Sequence, residues 1–144
     1  MERSLGRLLE LSEGMDLPEF KRAIIQRNIN LYAQASQDFN PIHIDEEFAK
    51  KTPLGGTIAH GMLILAYISQ MMTLAFERDW LAGGKLHVRF KTPARPGDTI
   101  TVSGKIVKLE KKEEQTLVNC DVLCRNQKGE VVITGEATAE VRNQ

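Results

Sequence analysis

Two side chains that could trade protons stand five positions apart in the run Asp38-Phe39-Asn40-Pro41-Ile42-His43. On one continuous helix that offset would set them about 140° apart. Pro41 forbids the continuous helix, because a proline pushes the residue before it out of helical conformation. The run is therefore expected to bend sharply, and both side chains can then face one side. Asn40 suits such a bend, since its amide can satisfy backbone groups that a helix end leaves open. A carboxylate beside an imidazole can hold a water molecule, take a proton from it and return one to a product. Such work is worth roughly 10²–10⁴-fold in rate. In isolation, an aspartate and a histidine in a turn are explained as well by a helix cap and a partly buried ring. The company of Asn40, Pro41 and a second element downstream favours chemistry.

That second element is Ala59-His60-Gly61, at the head of a long apolar run. If a helix starts near Thr57 or Ala59, the Gly61 amide falls in its first turn, where donors lack partners within the helix. The helix dipole favours negative charge there. A carbonyl oxygen aimed at that N–H would be polarised, and glycine permits its close approach because it has no Cβ. A glycine needed only for packing accounts for this dipeptide equally well.

These residues need elements to hold them. The apolar stripe Ile29, Leu31, Tyr32, Ala33, Ala35 has roughly helical spacing, with Asn28 as a candidate cap, and the helix must stop before Pro41. Phe20 to Gln26 reads as a weak extended segment. Asp45 to Lys50 reads as one helical turn capped by Asp45. Residues 59–76 read as a long helix, apolar nearly all round; His60, Ser69, Gln70 and Thr73 interrupt it and Glu77, Arg78 and Asp79 end it, so it is expected to be buried rather than to span a membrane. The period then changes from 3.6 to 2. Leu86, Val88 and Phe90 share a face, as do Ile100, Val102, Gly104 and Ile106, then Val118, Cys120, Val122 and Cys124, then Val131, Ile133, Ala137, Ala139 and Val141. Turns are expected at 92–98, 110–114 and 126–129. Strands apolar on one face only predict an antiparallel sheet, and the apolar helix predicts that the sheet curls around it. Its edge strands invite pairing with a second copy, so a homodimer is expected.

Composition narrows the possibilities. A chain of 144 residues fits one domain, 1–144. Its 19 Lys+Arg balance its 19 Asp+Glu, which gives no broad attraction for nucleic acid or an acidic membrane. Two cysteines make no disulfide framework and fit a reducing compartment, and Met1 to Asp16 carries too many charges for an export signal, so a cytoplasmic location is expected. Cys120 and Cys124 lie too far apart on one strand to bridge. His43, His60 and His87 show no zinc-ligand spacing, and no metal is expected. Gly55-Gly56 lacks a phosphate-loop pattern and reads as a hinge.

The runs YAQASQDFNPIHID (32–45), TIAHGML (57–63) and FKTPARPGD (90–98) resemble the MaoC-like hydratases, a group that includes (R)-specific enoyl-CoA hydratases. The similarity extends from about Gly14 to the final strand. It implies an α+β hot-dog fold, an antiparallel sheet wrapped around a long central helix. It also implies that Asp38 and His43 form a catalytic dyad, that the Gly61 amide holds a thioester oxygen, that Asn40 braces the loop, and that Ser69 lines the acyl pocket. The implied activity is addition of water to trans-2-enoyl thioesters, giving (R)-3-hydroxyacyl thioesters, with no cofactor beyond the acyl-CoA or acyl-carrier-protein substrate. Lys85, Arg89 and Lys91 are candidates to meet CoA. The chain departs from the group at Gln37, where many members have glycine, and at Glu46, where many have proline. A carrier-protein dehydratase would share every residue named. A thioesterase of the same fold fits less well, because 59–76 contains no Asp or Glu. A non-catalytic thioester-binding subunit would not need both Asp38 and His43.

Overall fold

The computed structural model describes residues 10–143. The first nine residues, part of the stretch read as lacking an export signal, lie outside them. Five antiparallel strands form one sheet in the order β1-β3-β4-β5-β2. They are β1 (Phe20–Ala23), β2 (Lys85–Phe90), β3 (Thr99–Lys111), β4 (Gln115–Arg125) and β5 (Val131–Arg142). The sequence alternation survives in most of the burial: Ile100, Val102 and Ile106 on β3, Val118, Cys120, Val122 and Cys124 on β4, and Ile133, Ala137, Ala139 and Val141 on β5 are all shut from solvent. Their neighbours carry the polar groups of the other face, as a sheet covered on one side requires. A register shift between Val131 and Ile133 breaks the alternation at the start of β5, where Val132 is buried and the expected Val131 is only half-buried. Val107 interrupts the β3–β4 register between Ile106 and Lys108, and its side chain is exposed.

The described residues hold five helices: α1 (Gln26–Ser36), α2 (Pro41–Ile44), α3 (Glu46–Lys50), α4 (Gly61–Phe76) and α5 (Arg78–Gly83). The long helix α4 packs on β3, β4 and β5. Its Ile64, Ile68, Met71, Met72, Ala75 and Phe76 are buried in the same core as the inward strand residues. Each of the larger side chains contributes roughly 1.5–3 kcal/mol by leaving water. The sheet does not hide all of α4, however. Met62 stays 56% exposed and Leu74 40%, so the chain leaves an apolar stripe of its central helix open. Among the described residues no helix is long and apolar enough to cross a membrane.

Three boundaries differ from those expected. The first helix begins at Gln26, and Asn28 lies inside it rather than capping it. Ile25, extended at φ −126°, is the cap position, and its carbonyl receives the amides of Asn28 and Ile29. The earlier start is held by Gln26, whose side-chain amide donates to Asn30 Oδ1 on the next turn and to the His43 carbonyl across the fold. Pro41 does not merely break a helix. It opens a new one as the first residue of α2, where its missing N–H costs nothing and its φ is already helical. The long helix begins at Gly61 with His60 at its cap position, two residues later than the expected start at Ala59.

Candidate active site

The turn between α1 and α2 delivers Asp38. The first helix ends on Gln37 in left-handed conformation, φ 64° and ψ 21°, a backbone that glycine adopts without strain. The departure from the glycine that the resemblance implies thus falls on the residue that makes the bend. The Gln37 side chain compensates in part by donating to the Gln34 carbonyl. Asp38 Oδ1 then accepts the Asn40 amide at 3.2 Å, and Asn40 Oδ1 accepts the Ile42 amide at 3.2 Å. Asn40 is therefore the N-cap of α2 and the brace of the loop, as the sequence led one to expect.

His43 sits one turn into α2 and is buried. Its Nδ1 lies 2.8 Å from the Ile58 carbonyl, which can only accept, so Nδ1 carries the proton. In the neutral ring Nε2 is then bare, and it faces Asp38 Oδ2 at 4.0 Å. Two acceptors at that separation have no hydrogen bond to share. A water donating about 2.8 Å bonds to both would close the gap with roughly 90° between its arms. The His43 side chain is 10% exposed and that of Asp38 52%, so the gap opens to solvent on the carboxylate side. The bent loop thus brings the two expected groups together, on one side.

Gly61 is the first residue of α4, and its amide has no carbonyl within the helix to bond. A Cβ at Gly61 would lie 2.9 Å from the Phe90 ring, so close ring contact already requires glycine here. Beside it opens a cavity of about 290 Å³ lined mainly by apolar side chains, among them Ile58, Ile64, Phe90, Pro93, Val132 and Ile133. Ile58 borders this cavity, and its carbonyl is the group bonded to His43; Asp38 and His43 themselves do not line it. Lys91 does line it. Lys85 and Arg89 are exposed on β2. Ser69 is not brought to the dyad. Its hydroxyl accepts the Trp80 indole N–H at 3.0 Å, which ties it to α5, because two helical turns carry it away from the Gly61 end.

Sequence spacing missed two features. The first is a bracket joining the two halves of the site. The buried Thr57 hydroxyl lies 2.8 Å from Gln26 Oε1 and 3.0 Å from Glu46 Oε2, and shares its one proton between them. Glu46 Oε2 also accepts the Thr57 amide at 3.3 Å. Glu46, where the resemblance implies proline, thus ties α3 to the segment that leads into Gly61. The second is His60. It is 2% exposed, stacks on His43 with ring centroids 3.9 Å apart and planes 25° apart, and meets Tyr32 edge-on. Its position directly before Gly61 was the available signal.

Asp38, His43 and His60 each offer a ligand-type atom, all within 4.8 Å of one another, although their spacing in the sequence is not that of zinc ligands. The stack does not suit chelation. Zinc bonds imidazole nitrogen in the ring plane at about 2.0–2.1 Å, and two nearly parallel planes at this spacing do not meet at that distance. The arrangement suits hydrogen bonds instead.

Among known proteins, residues 12–127 match the MaoC like domain. The chain is 34% identical over 134 residues to the (R)-specific enoyl-CoA hydratase of Rhodospirillum rubrum, covering 92% of this chain and 89% of that one. It is 31% identical over 123 residues to a mitochondrial 3-hydroxyacyl-[acyl-carrier-protein] dehydratase of Arabidopsis thaliana, covering 85% and 73%. Among solved structures, the unliganded R-hydratase PhaJ1 from Pseudomonas aeruginosa superposes with a TM-score of 0.81 at 30% identity, covering 94% of this chain and 84% of that one. The chain thus belongs to the MaoC-like domain family with its hot-dog fold.

Proposed function

We propose that the chain is a hydratase that adds water to trans-2-enoyl thioesters and gives (R)-3-hydroxyacyl thioesters, running in either direction. The observation that carries this reading is the 4.0 Å gap between Asp38 Oδ2 and a His43 Nε2 left bare by the Nδ1–H bond to Ile58. A water held there would donate to both groups and leave its oxygen lone pairs free for attack. The Gly61 amide is a suitable donor to the thioester oxygen, and one such donor is worth roughly 2.7–4 kcal/mol in the transition state. Polarisation through the conjugated system makes C3 electrophilic. The water oxygen bonds to C3, its proton passes to the dyad, and the dyad gives a proton to C2. The product gains one H and one OH, and the pair ends as it began. No cofactor is needed for these steps.

The cavity of about 290 Å³ lies at the small end of ligand sites, which supports a short acyl group. Similarity to a carrier-protein dehydratase supports a second reading, in which the same groups expel water from a 3-hydroxyacyl-carrier-protein thioester. We assign a homodimer as the working unit. The open stripe of α4, the 74% exposed Leu81 on α5, and β2 at the sheet edge with the 54% exposed Phe90 at its end support it. Free thiols at Cys120 and Cys124 support a cytoplasmic setting.

Crotonyl-CoA tests the reaction. Loss of the conjugated enoyl absorbance without release of free thiol is the expected result. Thiol release would replace the reading with hydrolysis, and absence of both would leave a binding subunit.

A further inference from the structure

We propose that His60 is a positioning residue that sets the carboxylate of the dyad, an inference that rests on the hydratase reading above. The N-cap position of a helix favours Ser, Thr, Asp or Asn, whose side chains bond the free amides of the first turn. His60 occupies that position in α4 and makes no such bond. Its ring is turned the other way. Nε2 lies 3.0 Å from the Asp38 carbonyl. A carbonyl only accepts, so Nε2 carries the hydrogen and donates it. Nδ1 is then the bare nitrogen, and it is buried with no hydrogen-bond partner among the described residues.

An unpaired buried nitrogen costs stability, and a phenyl ring in the same place would not incur that cost. The stack on His43 and the edge contact with Tyr32 need only a flat ring. What needs a histidine is the bond to Asp38. Asp38 follows a strained left-handed residue and lies in an exposed turn, so little else ties its backbone to the buried half of the site. Through one side chain, the residue adjoining Gly61 fixes the main chain of Asp38 and supports the ring of His43. The distance between thioester donor and water-holding pair is thereby set by His60. It touches neither water nor thioester, and its contribution is geometric.

Two variants separate this role from simple packing. His60→Phe keeps a flat ring and removes the donor. His60→Gln gives up the ring and keeps a donor near the position of Nε2. Steady-state hydration of crotonyl-CoA, thermal melting, and amide hydrogen exchange across residues 37–40 are measured for both. A displacement of about 1 Å at a reacting group can cost of order 10²-fold. The Phe variant is expected to melt no lower than the parent, to lose about tenfold or more in kcat with KM within about threefold, and to exchange faster at 37–40. The Gln variant is expected to melt lower yet recover most of kcat and of the exchange protection. Parent-like kcat in the Phe variant, or kcat that follows melting temperature across both variants, would overturn the proposal. Hydrogen exchange is read without substrate. An inactive parent would therefore refute the hydratase reading, while unchanged exchange in the Phe variant would refute the role of His60.

Discussion

Replacing Asp38 by asparagine is the sharpest test of the dyad, because it changes chemistry with little change of shape. Asp38 Oδ1 accepts the Asn40 amide, and an asparagine carbonyl oxygen can do the same, so the turn should persist. Oδ2 becomes an NH2 group facing the bare His43 Nε2 across 4.0 Å. Where two acceptors shared a water, a donor and an acceptor now stand opposed. They can close to a direct bond and expel the water. The variant also loses a basic group. Proton transfer by a positioned side chain is worth roughly 10²–10⁴-fold, about 2.7–5.4 kcal/mol in the barrier. The expected result is a fall in kcat for crotonyl-CoA hydration of at least about 10²-fold. Stability should hardly move, within about 0.5 kcal/mol, because the side chain is half exposed and its turn bond survives. Thermal melting followed by circular dichroism checks that half. A kcat within about threefold of the parent, in a variant that melts like the parent, would refute the reasoning.

Thr57→Val removes the hydroxyl shared by the half-buried Gln26 and the exposed Glu46, whose acceptors water can reach; a loss of about 0.5–1.5 kcal/mol is expected in chemical denaturation. Gln37→Gly relieves a left-handed residue at φ 64°, set against the entropy that glycine adds to the unfolded chain. Its expected effect is a gain of about 0.5 kcal/mol with kcat unchanged, and a lower melting temperature would contradict it. Burial pushes the Cys120 and Cys124 thiols up to about 12. Neither should react with a thiol reagent at neutral pH until the protein unfolds. In the unfolded chain they ionise near their ordinary value, about 8.5, so the unfolded state sheds protons first as pH rises. Stability should therefore fall from about pH 9 towards 12, and a Cys120→Ala/Cys124→Ala variant should show a flatter decline over that range in melts against pH.

The parts of the fold that local rules govern could be read from the residues. Alternation at 100–106, 118–124 and 131–141 located β3, β4 and β5, and the Pro41 rule located the bend that joins Asp38 to His43. Asn40 and Asp45 cap because their own side chains reach the next amides, a contact between near neighbours in sequence. Contacts made across the fold were not readable. The start of α1 is held by Gln26 reaching His43 from seventeen positions away. The stacking of His60 on His43 joins segments that no spacing rule connects, and Ser69 was carried off to Trp80 by the way α5 folds back. The coverage of α4 was overstated for a similar reason. Periodicity says that a helix is apolar all round, but it does not say how much of that surface one chain can cover.

Two proton-handling groups held 4.0 Å apart on one bent loop have a stereochemical consequence that can be measured directly. Crotonyl-CoA hydrated in D2O by this protein should receive deuterium at C2 and the hydroxyl at C3 on the same face, as read from the H2–H3 coupling in the proton spectrum of the product, with the R configuration at C3 read by chiral chromatography of the released 3-hydroxy acid. Addition to opposite faces, or a random label at C2, would mean that Asp38 and His43 do not share the water between them, and the assignment of the site would fail.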